Sequence, residues 1–258
     1  MPQSFWGGVV YIAEKYSGLF LSGAVNTLLL ALVGTIAGFL IGLVIAIVRT
    51  IPVRPTDSIF KRVGLKLLRG LFITYIELFR STPMMVQAMV IYYGVFPSVS
   101  ADYALYVGMF IISINTGAYM AEIVRGGVIS VDNGQNEGAL SIGMTHWQSM
   151  TSVVLPQAIR NIMPSIGNEF VVNIKDSSVL SVISVAEVFF TAKSAAGTYM
   201  RIFESFVIAC AVYFVMTFTI TRLLLYLEKR MDGPKNYTIH GSQTVLQAQI
   251  KVTEEAEK

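Results

Sequence analysis

The chain has 258 residues, of which 54% are hydrophobic and only 14% charged, with a mean hydropathy of +0.62. Soluble domains carry about 25% charged residues, so this composition excludes a water-solvated globule and calls for lipid around much of the surface. The formal net charge of +3 is spread as a sided bias that calls for no nucleic-acid partner, and the single cysteine, Cys210, excludes a disulfide framework.

The first ten residues, MPQSFWGGVV, have neither a basic n-region nor a cleavage site. They are expected to form an interfacial lead-in with Phe5 and Trp6 at headgroup level. Five apolar stretches follow, near residues 22–48, 70–97, 104–124, 169–190 and 204–227. Each reaches the roughly 20 residues that a helix rising about 1.5 Å per residue needs to cross the hydrocarbon. The expected fold is all-α: a polytopic bundle of five transmembrane helices within residues 1–230, followed by a polar tail over 231–258 that is expected to lack a packed structure.

Within the first span, Gly34, Gly38 and Gly42 recur every four residues and predict a close helix contact. In the second, Pro83 removes a backbone donor, and residues 83–97 alone are too short to cross. The span therefore begins near 70 and is kinked or loosened around Thr82. Irregular backbone at that depth is tolerated where protein covers it or where it lines a cavity, so Thr82 is a candidate for the translocation path. Tyr92 and Tyr93 are expected to anchor the outer interface, and the 12 methionines to serve packing.

Charged groups inside spans cost about 2.5–3.5 kcal/mol each at mid-helix and belong against a cavity or a partner. Glu77 and Arg80, and likewise Glu122 and Arg125, are three residues apart on one helix face. Two readings stay open: path-lining charges, or pairs that neutralise each other and brace the helices. Asn115 adds a polar side chain to the third span. In the fourth, Asn173, Ser177, Ser181 and Ser184 recur at helical spacing on one face, which either lines the path or permits tight packing. Lys175 and Asp176 point about 100° apart on a helix; one is expected to tether the insert described next, the other to face the path.

Lysine and arginine set the expected orientation. With the 49–69 loop (Arg49, Arg54, Lys61, Arg62, Lys66, Arg69), Arg125 and Arg160 at the 126–168 insert, and the chain after residue 227 in the cytoplasm, 13 cationic residues lie inside against Lys15, Lys193 and Arg201 outside. That asymmetry puts the N-terminus out and the C-terminus in, as five spans require.

The insert reads as a helix, a corner and a second helix. Gly134 opens a turn, Glu137 falls in the first helical turn where the macrodipole favours an anion, and Gly143 ends the helix. Thr145 and Gln148 form a capping box for a helix running to Leu155, and Pro156 suits the first position of a third. Ala139, Leu140, Met144, Trp147 and Met150 supply apolar surface. Such a surface either lies on the inner leaflet or docks a protein; the absence of lysine and arginine between Gly126 and Ile159 favours docking.

No catalytic constellation emerges. His146 and His240 are far apart, no spacing resembles a metal site, and the phosphate-cradling loop G-x-x-x-x-G-K-[ST] does not occur. A secondary transporter would carry an internal repeat and a coupling-ion site, of which there is no trace here. A non-transport scaffold is not excluded by composition alone.

Four stretches decide between these classes by resemblance. Glu137-Gly138-Ala139, then Gly143, then Val153 and Leu155-Pro156, match the EAA loop of permease subunits of ATP-binding-cassette importers, with Gly138 where alanine and Val153 where isoleucine is usual. The stretches Glu77–Pro83 (ELFRSTP), Ala118–Gly127 (AYMAEIVRGG), Leu155–Ala158 (LPQA) and Lys175–Ser178 (KDSS) resemble the polar amino-acid branch of that family. The resemblance implies a multi-pass protein of the prokaryotic cytoplasmic membrane, paired with a second permease chain, identical or homologous. It also implies two cytosolic ATPase chains that hold ATP and Mg, and an extracytoplasmic amino-acid-binding protein. Glu137, Gly138, Ala139, Gly143, Leu155 and Pro156 would then form the coupling contact with the ATPase, and the chain itself would bind no cofactor.

Overall fold

The computed structural model describes residues 4–53 and 57–231, and among them there is no strand. Expectations about Arg54 and about the tail from residue 232 lie outside the described residues.

Helix α1 (Phe5–Lys15) is capped by Ser4, whose Oγ accepts from the Gly7 N–H at 3.2 Å. It passes through Tyr16 into α2 (Ser17–Thr50), a 34-residue helix about 50 Å long at 1.5 Å per residue. Phe5 packs against Trp6 and Phe203, leaving Trp6 exposed. Together with α5 (Ala104–Ser130) and α10 (Ile202–Met231), α2 is apolar and long enough to cross a membrane unaided.

The other two stretches expected to cross are broken. Helix α3 (Ile59–Ser81) ends at Thr82, whose backbone is extended at φ −118°, ψ 145°, and α4 (Met84–Val95) starts after Pro83. This is the break that Pro83 predicts. The fourth stretch departs from expectation. Helix α8 (Leu155–Asp176) tightens into a 3-10 segment over Ser177–Ile183, and Ser184 turns left-handed at φ 65°. The chain then restarts as α9 (Val188–Tyr199), the two arms meeting at 50°. Residues 169–190 are therefore not one helix.

Pairings fix the directions. Gly34 faces Ile112 and Gly42 faces Ala121, so α2 and α5 run parallel. Gly127 faces Ala158 while Thr116 bonds Asn173, so α8 runs antiparallel to both. Gly167 against Leu224, and Glu187 against Tyr213, turn α10 back again. The C-terminal ends of α2, α5 and α10 thus share one end of the bundle with the N-terminal ends of α3 and α8.

The α2–α5 seam is the tightest contact. A Cβ on Gly38 would lie 2.8 Å from Thr116 Cβ, and one on Gly42 2.6 Å from the Ala121 nitrogen. Only glycine permits that approach. Leu30, Ile111, Ile112, Leu180 and Ile183 form the main buried cluster and carry the 3-10 segment against α2 and α5. Tyr92 belongs to that cluster, so only Tyr93 keeps the exposed position expected of both tyrosines.

Candidate functional site

The insert is a braced elbow. Asp132 caps its first helix, α6 (Asn133–Ser141), which already includes Gly134: the Asp132 carboxylate accepts the Gly134 N–H at 2.6 Å. Glu137 consequently lies in the second turn, exposed, and does not meet the N-terminal dipole. Gly143 (φ 89°) closes the helix. Its N–H donates to Leu140 O at 3.0 Å and the Met144 N–H to Ala139 O at 3.2 Å, a Schellman pair that needs a left-handed residue at 143.

Thr145 and Gln148 form the expected capping box of α7 (His146–Ser149). The chain then passes without a stop through a π-turn, Met150–Val154, into α8. Pro156 stands in the first turn of α8, as expected, although no break in the chain precedes it. Its ring would press on the carbonyl four residues back, and the widened turn opens the ladder at that place.

Two faces separate on the elbow. Ala139, Met150 and Leu155 are buried; Val131, Met150, Val154, Leu155 and Ala158 form a cluster with Leu43, Ile47 and Val128 that seats the elbow on α2 and α5. Ser149 Oγ donates to Asn136 Oδ1 at 2.7 Å and Asn161 Nδ2 to Ser130 Oγ at 3.1 Å, pinning α6 to α7 and α8 to α5. Outward stand Leu140, Ile142 (79% exposed) and Trp147 (62% exposed), with Glu137, Gly138 and Pro156 also exposed. The outward apolar surface is thus narrower than the sequence suggests: Ala139 and Met150 are buried, and Ile142 is exposed beside Leu140 and Trp147.

The path candidates fall into separate groups. Thr82 and Asn115 are joined through Gln87. Asn173 is buried, accepting from Thr116 Oγ1 at 2.9 Å and donating to Thr35 Oγ1 at 3.0 Å, which ties α2, α5 and α8 together. Ser177 and Ser181 are buried and Ser184 is exposed. The polar stripe does not form, because 3.6-residue periodicity ends at Asp176. Lys175 is exposed and Asp176 half-buried, about 30 Å along α8 from the elbow, so neither tethers it.

Of the two proposed ion pairs one forms. Glu122 pairs with Arg125 at 2.8 Å and also with Arg49 of α2, clasping the α2 and α5 ends. Among the described residues no ion pair joins Glu77 to Arg80; both are exposed, and the Arg80 guanidinium lies over the Tyr119 ring at 5.6 Å. Among the described residues no group of three histidine, cysteine or acidic side chains could hold a metal ion.

Comparison with known proteins gives this arrangement a class. Residues 58–233 match the family model described as binding-protein-dependent transport system inner membrane component. The chain belongs to that family. The permease is 32% identical to the glutamine transport system permease protein GlnP of Escherichia coli (strain K12), over 83% of this chain and 93% of that one. It is 32% identical to the L-cystine transport system permease protein TcyB of Bacillus subtilis (strain 168), over 90% of each. A crystal structure of an amino acid ABC transporter with histidines superposes with a TM-score of 0.74 at 39% identity, covering 89% of this chain and all of that one. The MetNI methionine ABC transporter shares the fold at a TM-score of 0.68 and 15% identity. The permease is accordingly a multi-pass inner-membrane transport subunit, and the secondary-transporter and scaffold alternatives fall away.

Sequence reasoning missed the braces at both breaks of the permease. Gln87 donates to Phe79 O and Thr82 O, each at 2.9 Å, and accepts from Asn115 Nδ2 at 2.8 Å. Its amide takes over carbonyls that Pro83 and the extended Thr82 leave without helical donors. Glu187, fully buried, caps α9 by accepting the Phe189 and Phe190 N–H groups at 2.8 and 2.6 Å, and also accepts from the Tyr213 hydroxyl. Asn26 donates to Ala186 O at 2.7 Å, and Gly23 makes room for the Glu187 backbone. A glutamine four residues after a proline, and a lone glutamate within an apolar run, are the signals that could have found them.

Proposed function

We propose that the chain forms half of the translocation path of an ATP-driven importer of polar amino acids, and is moved through its elbow by a separate ATPase. Five crossings, α2, α3–α4, α5, α8–α9 and α10, run with the N-terminus outside. Every one of the chain ends that carry Arg49, Lys61, Arg125, Arg160 and Lys229 then meets the cytoplasm, as the positive-inside bias demands. A second permease copy or relative completes the path, and an external binding protein delivers the solute. ATP and Mg are held by the ATPase dimer, this chain binding neither. Relatives named for glutamine and L-cystine transport support the substrate class.

One observation carries the coupling role: the outward apolar corner of Leu140, Ile142 and Trp147, rigidly seated from behind and free of lysine and arginine. A lipid-lying helix would present cations. A cation-free apolar knob on a stiff base suits insertion into a protein groove, which transmits motion only if the base does not yield. Ile142→Cys in a Cys210→Ser background, labelled with a thiol-reactive benzophenone and irradiated in native membranes so that the photoactivated carbonyl inserts into a neighbouring C–H bond, should capture a nucleotide-hydrolysing chain. Capture of lipid adducts alone would reject the role.

A further inference from the structure

A second amphipathic surface sits at the same end of the bundle as the elbow and differs from it in charge. The first half of α3, residues 59–71, places Ile59, Phe60, Val63, Leu67 and Leu71 within an arc of about 120°, successive residues being 100° apart. All five are exposed, Phe60 at 86% and Leu67 at 70%. Arg62 and Lys66 run along one edge of this stripe, four residues apart, and Lys61 lies beyond the other. Lys61 is held by Asp57 at 2.9 Å and Arg69 bonds Ile51 O, but among the described residues Arg62 and Lys66 have no ion-pair partner.

We propose that residues 59–71 of α3 bind anionic phospholipid at the inner leaflet, the stripe entering the acyl boundary while Arg62 and Lys66 hold a headgroup phosphate. The charge contrast chooses the occupant. The elbow is apolar without cations and suits a protein; this face is apolar with an edge of exposed cations, which is what an anionic bilayer surface attracts. Continuity supports it: α3 runs unbroken from Ile59 to Ser81, so the stripe continues into Leu71 and Leu78, which face outward within the same arc. The geometry also has a mechanical sense. The lipid-held segment meets the C-terminal end of α2 through Arg69 and Ile51, so the leaflet holds one side of the bundle while the elbow moves the other.

The inference rests on the proposed orientation only for naming the leaflet. The test uses the intact transporter complex, purified with its lipid and reconstituted in phosphatidylcholine vesicles with and without phosphatidylglycerol; the lipid retained after detergent washing is counted by mass spectrometry. The variant Arg62→Gln/Lys66→Gln should bind phosphatidylglycerol about thirtyfold more weakly at low salt, each cation near a surface contributing about fivefold. High salt should shrink that difference, since the screening length falls to about 3 Å at 1 M. Phosphatidylcholine retention should not change, and Arg62→Lys should restore most of the loss. Unchanged phosphatidylglycerol binding overturns the proposal, as does equal loss of both lipids. Loss of a co-purifying chain with lipid binding intact would overturn it too, by assigning the stripe to a protein. Labelling Lys61→Cys in the Cys210→Ser background from either side of the membrane tests sidedness separately, so failure of the orientation is distinguishable from failure of the lipid site.

Discussion

Gly143 offers the sharpest perturbation of the elbow, because its penalty separates cleanly into one cause. No heavy atom lies within 4 Å of where its Cβ would stand, so a side chain meets no obstacle, and the cost is that of φ 89° alone. An L-residue held left-handed costs about 1–2 kcal/mol, or about five- to thirtyfold in the population of the corner. Asparagine tolerates that region better. In proteoliposomes containing the whole transporter, Gly143→Ala should lower solute uptake per ATP hydrolysed within that range, and Gly143→Asn should lie close to the parent. Gly143→Asp, adding a charge to the apolar knob, should uncouple hydrolysis from uptake or prevent assembly. Wild-type coupling in Gly143→Ala, or equal defects in the alanine and asparagine variants, would refute the corner as the reason for glycine.

Gly42→Ala pushes a Cβ to 2.6 Å from the Ala121 backbone and should cost about 1–3 kcal/mol by overpacking, whereas Gly64→Ala, in open space, should gain roughly 0.5–1 kcal/mol; thermal unfolding in detergent separates them, and equal midpoints would reject the seam. Gln87→Leu strips the α3–α4 break of its donor and should cost about 1–3 kcal/mol, read as faster amide exchange over residues 79–88; unaltered exchange would show that the break needs no brace. Glu187→Ala removes the α9 cap, worth about 0.5–2 kcal/mol, and should couple to Tyr213→Phe in a double-mutant cycle. Strict additivity there would deny the contact its role.

Where one residue dictates backbone by its own chemistry, the sequence was readable. Pro83 announced the second-span break, Gly143 the corner, Thr145 with Gln148 the capping box, and three glycines the α2–α5 seam. The break at 184–187 carries no such residue: SVISVAEVF reads as continuous helix, and the turn at Ser184 is supported from distant helices, where Asn26 donates to Ala186 O, Gly23 leaves room for the Glu187 backbone and Tyr213 donates to the Glu187 carboxylate. The serine stripe failed for the same reason, since its spacing presupposed a helix that tertiary contacts had replaced. Glu77 and Arg80 show the limit of spacing arguments for charges: three residues apart permits a pair, but an aromatic face on α5 took the guanidinium instead. Glu122 gained a second arginine, Arg49, 73 positions away in the chain, which no local pattern announces.

A passive gate half driven by another chain's ATP makes a simple demand on purified components. In liposomes holding this permease with its ATPase and loaded binding protein, amino acid should accumulate only while ATP is hydrolysed, and the permease alone should accumulate none under any ion gradient. Uphill accumulation by the permease alone would contradict the account.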